Sequence, residues 1–244
     1  DITIPQAFNG KTVVYEVRTG REGEWDALNP QFIVYVNGKL IQGLDVNHRE
    51  IVISEKANAG DSYKIALHAY GGMKEGLCEL NTSISVLDKN TEKLYYDIKV
   101  PLEVASYLDK EDKKKIDILN FLDNAINLLD LRKPYSDEFL ESVEDADKYL
   151  ENEFYGKYCG HNDVTISCIG HTHIDIAWLW TLAQTREKAA RSFSTVLSLM
   201  KDYPEYIFMA SQPQLYQFIK EDYPDIYEQI KGKIKEGQWE AEGA

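Results

Sequence analysis

The sequence predicts an α+β multidomain chain: an N-terminal β-sandwich of jelly-roll type, a helical connector, and the opening of a parallel α/β domain. Three observations predict it. Short runs rich in Val, Ile and Tyr alternate with Gly and Asn turn signals up to about residue 100. An acid-rich stretch with helical apolar spacing follows, to about residue 156. From about 163 the rhythm becomes strand, helix, strand, helix, strand. The expected segments are 1–102 for the β-sandwich, 103–160 for the connector and 161–244 for the α/β part.

In the first segment, strands are expected at 12–17, 32–36, 51–53, 63–70, 83–87 and 94–100. Turns are expected at Asn9-Gly10, Asn37-Gly38, Ala59-Gly60-Asp61 and Gly71-Gly72. Asn37-Gly38 tolerates φ > 0 at both positions, as a type I′ hairpin requires. Within 63–70, Ile65 and Leu67 share one face while Lys64 and His68 take the other, so His68 is expected to face solvent. In the second segment, Leu119, Leu122, Ile126 and Leu129 make an apolar stripe, with Ser106 and Asp109 as its expected cap. After Pro134, Ser136 can cap a helix whose stripe is Phe139, Val143, Ala146 and Leu150. In the third, 164–169 reads as a buried strand, 182–202 as a helix and 206–210 as a strand. Residues 213–236 read as helix broken near Tyr223-Pro224, and a third strand starts at Gln238.

Of the 244 residues, 41 are acidic and 27 basic, giving a net charge of −14, which argues against a nucleic-acid partner. No run of about 18 apolar residues exists, so no membrane partner is expected. The first residues lack a basic, then apolar, leader. Cys78, Cys159 and Cys168 form no CxxC pair, and reduced thiols in the cytoplasm are the expectation. The chain has no initial Met and stops in a strand-like stretch, which reads as a piece of a longer protein.

The stretch that carries chemistry is Gly170-His171-Thr172-His173-Ile174-Asp175-Ile176-Ala177-Trp178-Leu179-Trp180, at the carboxyl end of the expected 164–169 strand. Ligands and catalysts gather at such strand ends, because the loops leaving the strands surround a common crevice. In extended backbone, residues two apart point the same way, so His171, His173 and Asp175 can project together. Two imidazoles and a carboxylate suit zinc or a similar divalent ion. Metal-dependent amidohydrolases also use an HxH pair, so spacing alone does not choose the reaction.

This stretch resembles the start of the catalytic domain of glycoside hydrolase family 38, the α-mannosidases. The likeness continues through Thr185-Arg186-Glu187-Lys188, Arg191-Ser192-Phe193-Ser194-Thr195, Met200 to Tyr206, Ser211 to Tyr216, and 230–240. Upstream, Val36-Asn37-Gly38 and 42–50 resemble the β domain that precedes it in bacterial and cytosolic members. The resemblance implies a (β/α)7-barrel-like catalytic domain and a zinc cofactor, another divalent metal being the alternative. It makes His173 and Asp175 zinc ligands, His171 a supporting residue and Trp178 an apolar platform for a sugar. Trp180 is read as core packing, Arg186 as a helix-surface salt bridge, and Tyr206, Phe208 and Tyr216 as core. The implied reaction is retaining hydrolysis of terminal α-mannosides, on an oligosaccharide or a mannosylated metabolite. Homo-oligomerisation of the longer protein stays open.

The family's nucleophilic Asp is expected beyond Ala244, with the acid/base carboxyl and the last His ligand later still. No catalytic residue is therefore assigned within 1–244, and this piece alone is expected to be inactive. Glu240 and Glu242 read as strand-end surface. The competing readings are a metal-dependent amidohydrolase or deacetylase using His171 and His173, and a non-catalytic carbohydrate-binding module. The second would use exposed aromatics of the β segment, with Tyr15, Tyr35, Tyr63, Tyr95 and Tyr96 as candidates.

Overall fold

The computed structural model describes residues 1–24, 29–71, 76–160 and 165–242. Gly72 of one expected turn, Val164 of the expected 164–169 strand, and Gly243 and Ala244 lie outside the described residues. The chain divides into two compact units, one of Asp1–Val86 with Ser167–Ala244, the other of Leu87–Ile166.

In the first unit, strands β1 (Ile2–Thr3), β2 (Thr12–Arg18), β3 (Gln31–Val36), β4 (Lys39–Leu44), β5 (Glu50–Ser54), β6 (Ser62–Tyr63), β7 (Ile65–Tyr70) and β8 (Asn81–Leu87) build three small sheets. Their orders are β5-β2-β8, β4-β3-β7 and β1-β6. The β2–β5, β3–β4, β3–β7 and β1–β6 pairs are antiparallel. The two three-stranded sheets enclose a shared core. Tyr15 and Val17 of β2 and Ile51 of β5 meet Phe32 and Val34 of β3 and Leu44 of β4. These two small antiparallel sheets face each other as a sandwich, built by period-2 alternation. Asn37 (φ 50°) and Gly38 (φ 80°) close the β3–β4 hairpin, as expected of a type I′ turn.

The other face of β3 is buried too. Ile33 is 1% exposed and belongs to a second core, with Tyr35 and Leu40 packed against it. That core is built on α4 (Leu182–Asp202), whose Ala189, Ala190, Phe193, Val196, Leu197 and Met200 recur at helical spacing. Its other walls are α5 (Pro213–Asp222), α6 (Pro224–Glu236) and a three-stranded sheet of β9 (Gly170–His171), β10 (Phe208–Met209) and β11 (Trp239–Glu240). The order is β11-β10-β9 and both pairings are parallel, with Phe208 opposite Gly170 and Trp239. The helix break falls at Tyr223, where Pro224 starts α6. Phe208 is buried, and Tyr206 and Tyr216 pack against the same core, as expected.

One strand expectation fails here. Residues 165–169 are exposed and form no strand, Ile166 being 81% exposed. Pairing begins only at Gly170. β9 is the edge of its sheet, so the residues before it have neither a second neighbour strand nor a covering layer.

The second unit is helical: α1 (Lys89–Ser106), α2 (Lys113–Ile126), α3 (Asp137–Tyr149) and a wider-wound extension, Leu150–Tyr158. The strand expected at 94–100 is a helix, and position 102 lies inside it. Asp88 caps α1 by accepting the Thr91 N–H, and Leu94, Ile98, Pro101 and Ala105 face the helical core at +4, +3, +4. Pro101 cannot donate to Asp97 O, four residues back. The Tyr155 hydroxyl donates to that carbonyl instead, at 2.9 Å. The expected Ser106 cap is also corrected. Ser106 is still within α1, and Asp112 caps α2 by accepting the Lys114 N–H. The inward residues of α2 are Ile118, Leu122 and Ala125, so the stripe is rotated from the expected one, and Leu119 and Ile126 are exposed. The expected Ser136 cap and the stripe Phe139, Val143, Ala146 and Leu150 are as read.

Candidate active site

β9, β10 and β11 run parallel, so their carboxyl ends share one edge, where His171, Met209 and Glu240 stand in register. The segment 172–181 leaves β9 there and returns into α4. Gly170 opens this motif because the Tyr206 ring lies on it; a Cβ would sit 2.7 Å or less from that ring. Ile174 is completely buried and plugs the segment into the α4 core. The residues on either side of it, His173 and Asp175, therefore turn outward together.

His173 Nε2 and Asp175 Oδ1 are 2.8 Å apart. A hydrogen bond between them needs the imidazole proton on Nε2, whereas a metal there would take the Nε2 lone pair and leave the proton on Nδ1. His171 is exposed, and among the described residues no three His, Cys, Asp or Glu side chains gather in a metal-holding group. Two of the three expected metal-facing residues are thus brought together. A tetrahedral zinc with bonds of ~2.0–2.1 Å holds adjacent donors about 3.3 Å apart. The His173–Asp175 separation needs only a small widening to match, so the pair fits two positions of such a site.

Trp178 projects from the segment with 62% of its surface exposed. Trp180 is half-buried and meets Trp178 edge to face, with centroids 5.5 Å apart at 88°. The Lys188 ammonium lies 4.1 Å from the Trp180 ring centre. Burial pulls the Lys188 pKa below its ordinary value, Arg191 adds to this, and Asp175 opposes it. Arg186 bridges α4 to α5 through Asp222 at 2.6 Å and Glu221 at 2.8 Å, the expected structural salt bridge. Glu240 and Glu242 are exposed, as expected of strand-end surface.

Sequence reasoning missed Thr185 and Gly43. Thr185 is a fully buried hydroxyl that accepts from Trp180 Nε1–H at 3.0 Å and donates to Ile176 O. Gly43 of β4 touches Arg191 of α4, and its N–H donates to Thr195 Oγ1 at 3.2 Å. The spacing of Thr185 four residues after Thr181 was visible in the sequence, but its burial was not, nor was a glycine's contact 148 positions away.

The aromatics offered for a sheet-borne sugar surface do not form one. Tyr15 is buried in the sandwich and Tyr35 packs toward α4. Tyr63 packs beside Ile4 and Val13, and Tyr95 and Tyr96 belong to α1. His68 is half-exposed, 3.6 Å from Glu187.

A His–Asp pair followed in the chain by an exposed indole stands here at the carboxyl edge of parallel strands, where ligands of α/β proteins gather. Residues 163–244 match the glycosyl hydrolases family 38 N-terminal domain. The chain is 30% identical to alpha-mannosidase G of Dictyostelium discoideum over 98% of its length, covering 22% of that protein. It is 27% identical to alpha-mannosidase 2C1 of Mus musculus over 95% of its length, covering 24% of that protein. It is 38% identical to an alpha-mannosidase of Saccharomyces cerevisiae over 46% of its length, covering 10% of that protein. The α/β part thus carries the family 38 match, and the chain as a whole is similar to α-mannosidases. It spans less than a quarter of the length of these relatives.

Proposed function

We propose that the chain is the amino-terminal part of a zinc-dependent, retaining α-mannosidase acting on terminal α-mannosides of an oligosaccharide or a mannosylated metabolite in the cytoplasm. The observation that carries this reading is the His173–Asp175 pair, 2.8 Å apart at the carboxyl end of β9 and followed by the exposed Trp178. His173 and Asp175 would hold two positions of the metal. Trp178 offers an apolar face to the C–H face of a mannose ring, and excludes water from it. Zinc, when bound, supplies positive charge that orients sugar hydroxyls and the attacking carboxylate. The retaining course needs two carboxyl groups about 5–5.5 Å apart. Neither is assigned to a residue of 1–244; both are proposed to follow Ala244, as are the remaining metal ligands. β9, β10 and β11 are then the first strands of a (β/α)7-barrel-like domain. The three cysteines are all free, which supports a reducing compartment.

The test compares the 244-residue chain with the longer polypeptide that this reading requires. The chain alone turns over no aryl α-mannoside and holds zinc only weakly, since half the donor set is absent. The longer polypeptide is active, and Asp175→Asn, His173→Ala or chelation each lower its activity at least about 100-fold. Unchanged activity in Asp175→Asn, or one tightly held zinc in the 244-residue chain, would overturn the assignment.

A further inference from the structure

The segment that carries His173, Asp175 and Trp178 has no helix or strand of its own, yet it is held at three points. Ile174 is sunk in the core, the Ile176 carbonyl is bound by Thr185, and the Trp180 indole N–H is bound by the same Thr185 hydroxyl. A hydroxyl carries one proton and two lone pairs, so Thr185 can donate to Ile176 O and accept from Trp180 at once. Thr185 is wholly buried, so water cannot replace it. Trp180 in turn is held by three contacts. Its N–H is on Thr185, one face is under Lys188, and its ring meets Trp178. Trp178 is otherwise largely exposed, and among the described residues its ring meets one other ring, Trp180.

We infer that Thr185 and Trp180 are positioning residues that fix the orientation of Trp178 toward a bound sugar. The inference rests on the proposed role of Trp178, but its first test does not. The chain is labelled with 5-fluorotryptophan and its ¹⁹F spectrum recorded. Thr185→Val keeps the side-chain shape and removes the hydroxyl. Trp180→Phe keeps a ring and removes the N–H. Both variants shift and broaden the Trp178 resonance while that of the core residue Trp239 stays in place, and Thr185→Ser restores the wild-type spectrum. A Trp178 resonance unmoved in both variants, with Trp239 native, overturns the inference. If Thr185→Val does not fold, Trp180→Phe decides alone. In the longer polypeptide, Thr185→Val raises KM for an aryl α-mannoside roughly three- to tenfold, with kcat within about twofold and recovery in Thr185→Ser. A fall in kcat at constant KM would contradict positioning of the platform. Failure of the mannosidase reading shows itself separately, as no turnover by the wild type while the fluorine result stands.

Discussion

Replacing Gly43 by alanine pits two opposed effects against each other. The Gly43 backbone is outside the left-handed region, so alanine fits its conformation and, through the unfolded chain alone, would stabilise by about 0.4–1 kcal/mol. The packing opposes this. The new Cβ would lie 2.7 Å from Arg191 Cβ and 3.0 Å from Arg191 Cα. Those atoms belong to the α4 backbone or adjoin it, so they cannot swing aside. Carbon–carbon contacts are optimal at about 3.5–4.0 Å, so β4 and α4 must part by roughly 1 Å. Parting strains the 3.2 Å bond from Gly43 N–H to Thr195 Oγ1 and loosens Ile33 and Leu40 against the α4 core. Overpacking costs about 1–3 kcal/mol and the bond about 0.5–1.5 kcal/mol. The expected net loss is about 2 kcal/mol, a fall in Tm of roughly 4–8 °C for a unit of this size. All four tryptophans fall in the sandwich and α/β unit and none in 87–166, so tryptophan fluorescence follows that unit's melting. Arg191→Ala retains Cβ and so leaves most of the Gly43→Ala penalty in place. A midpoint that is unchanged or raised in Gly43→Ala, or fully rescued by Arg191→Ala, would refute the close β4–α4 contact.

Two further outcomes concern the helical unit. Tyr155→Phe removes the donor to the Asp97 carbonyl and costs about 0.5–1.5 kcal/mol in urea unfolding followed by helical circular dichroism; in a Pro101→Ala background, where the alanine N–H can bond that carbonyl, the cost falls toward zero, and an equal cost in both backgrounds would refute the substitution of donors. Asp130 accepts two bonds from the Arg132 guanidinium, at 2.9 and 2.6 Å, and one from its N–H, which lower its pKa to about 2. A carboxyl depressed in the folded state stabilises above its unfolded pKa of about 3.9 and loses that contribution as pH falls toward 2. A ¹³C titration should show this midpoint, and Arg132→Gln should raise it toward the ordinary value; an unmoved midpoint would exclude Arg132 as the cause.

The legible parts of the sequence were those where one periodicity was satisfied by neighbours close in the chain. The Asn37-Gly38 hairpin, the 139–150 stripe and the break at Tyr223-Pro224 each rest on residues within a few positions of one another. Residues 94–100 misled because Leu-Tyr-Tyr-Asp-Ile-Lys-Val is β-rich in composition, while the deciding signals lie outside it. These are the Asp88 cap and a stripe that extends to Pro101 and Ala105. Proline inside a helix argued against the correct answer, and the carbonyl it leaves without a helical donor is bound by the distant Tyr155 hydroxyl. At the site, alternation placed His173 and Asp175 on one side, and the buried Ile174 between them is what enforces it. The same alternation did not carry His171 into a three-residue group, because the strand register ends at His171.

The support of the site reaches back to the sandwich through a single helix. β3 places Phe32 and Val34 in the sandwich core and Ile33 in the α4 core, so one strand is shared by both. The first half of α4 is then gripped by side chains of the same sheet. The Tyr70 hydroxyl binds Gln184, Gln31 binds Arg191, and Glu187 faces His68. Gln184 also completes the cap at Thr181, and Thr185 is the next residue. The turn of helix that the sandwich holds is thus the turn that clamps Ile176 and Trp180. On this geometry the β-sandwich is the outer wall of the site's scaffold. A β4 substitution such as Gly43→Ala, which displaces α4, should therefore disturb the Trp178 fluorine resonance as well as the melting point, although Gly43 touches no residue of the 172–181 segment in the contacts described above.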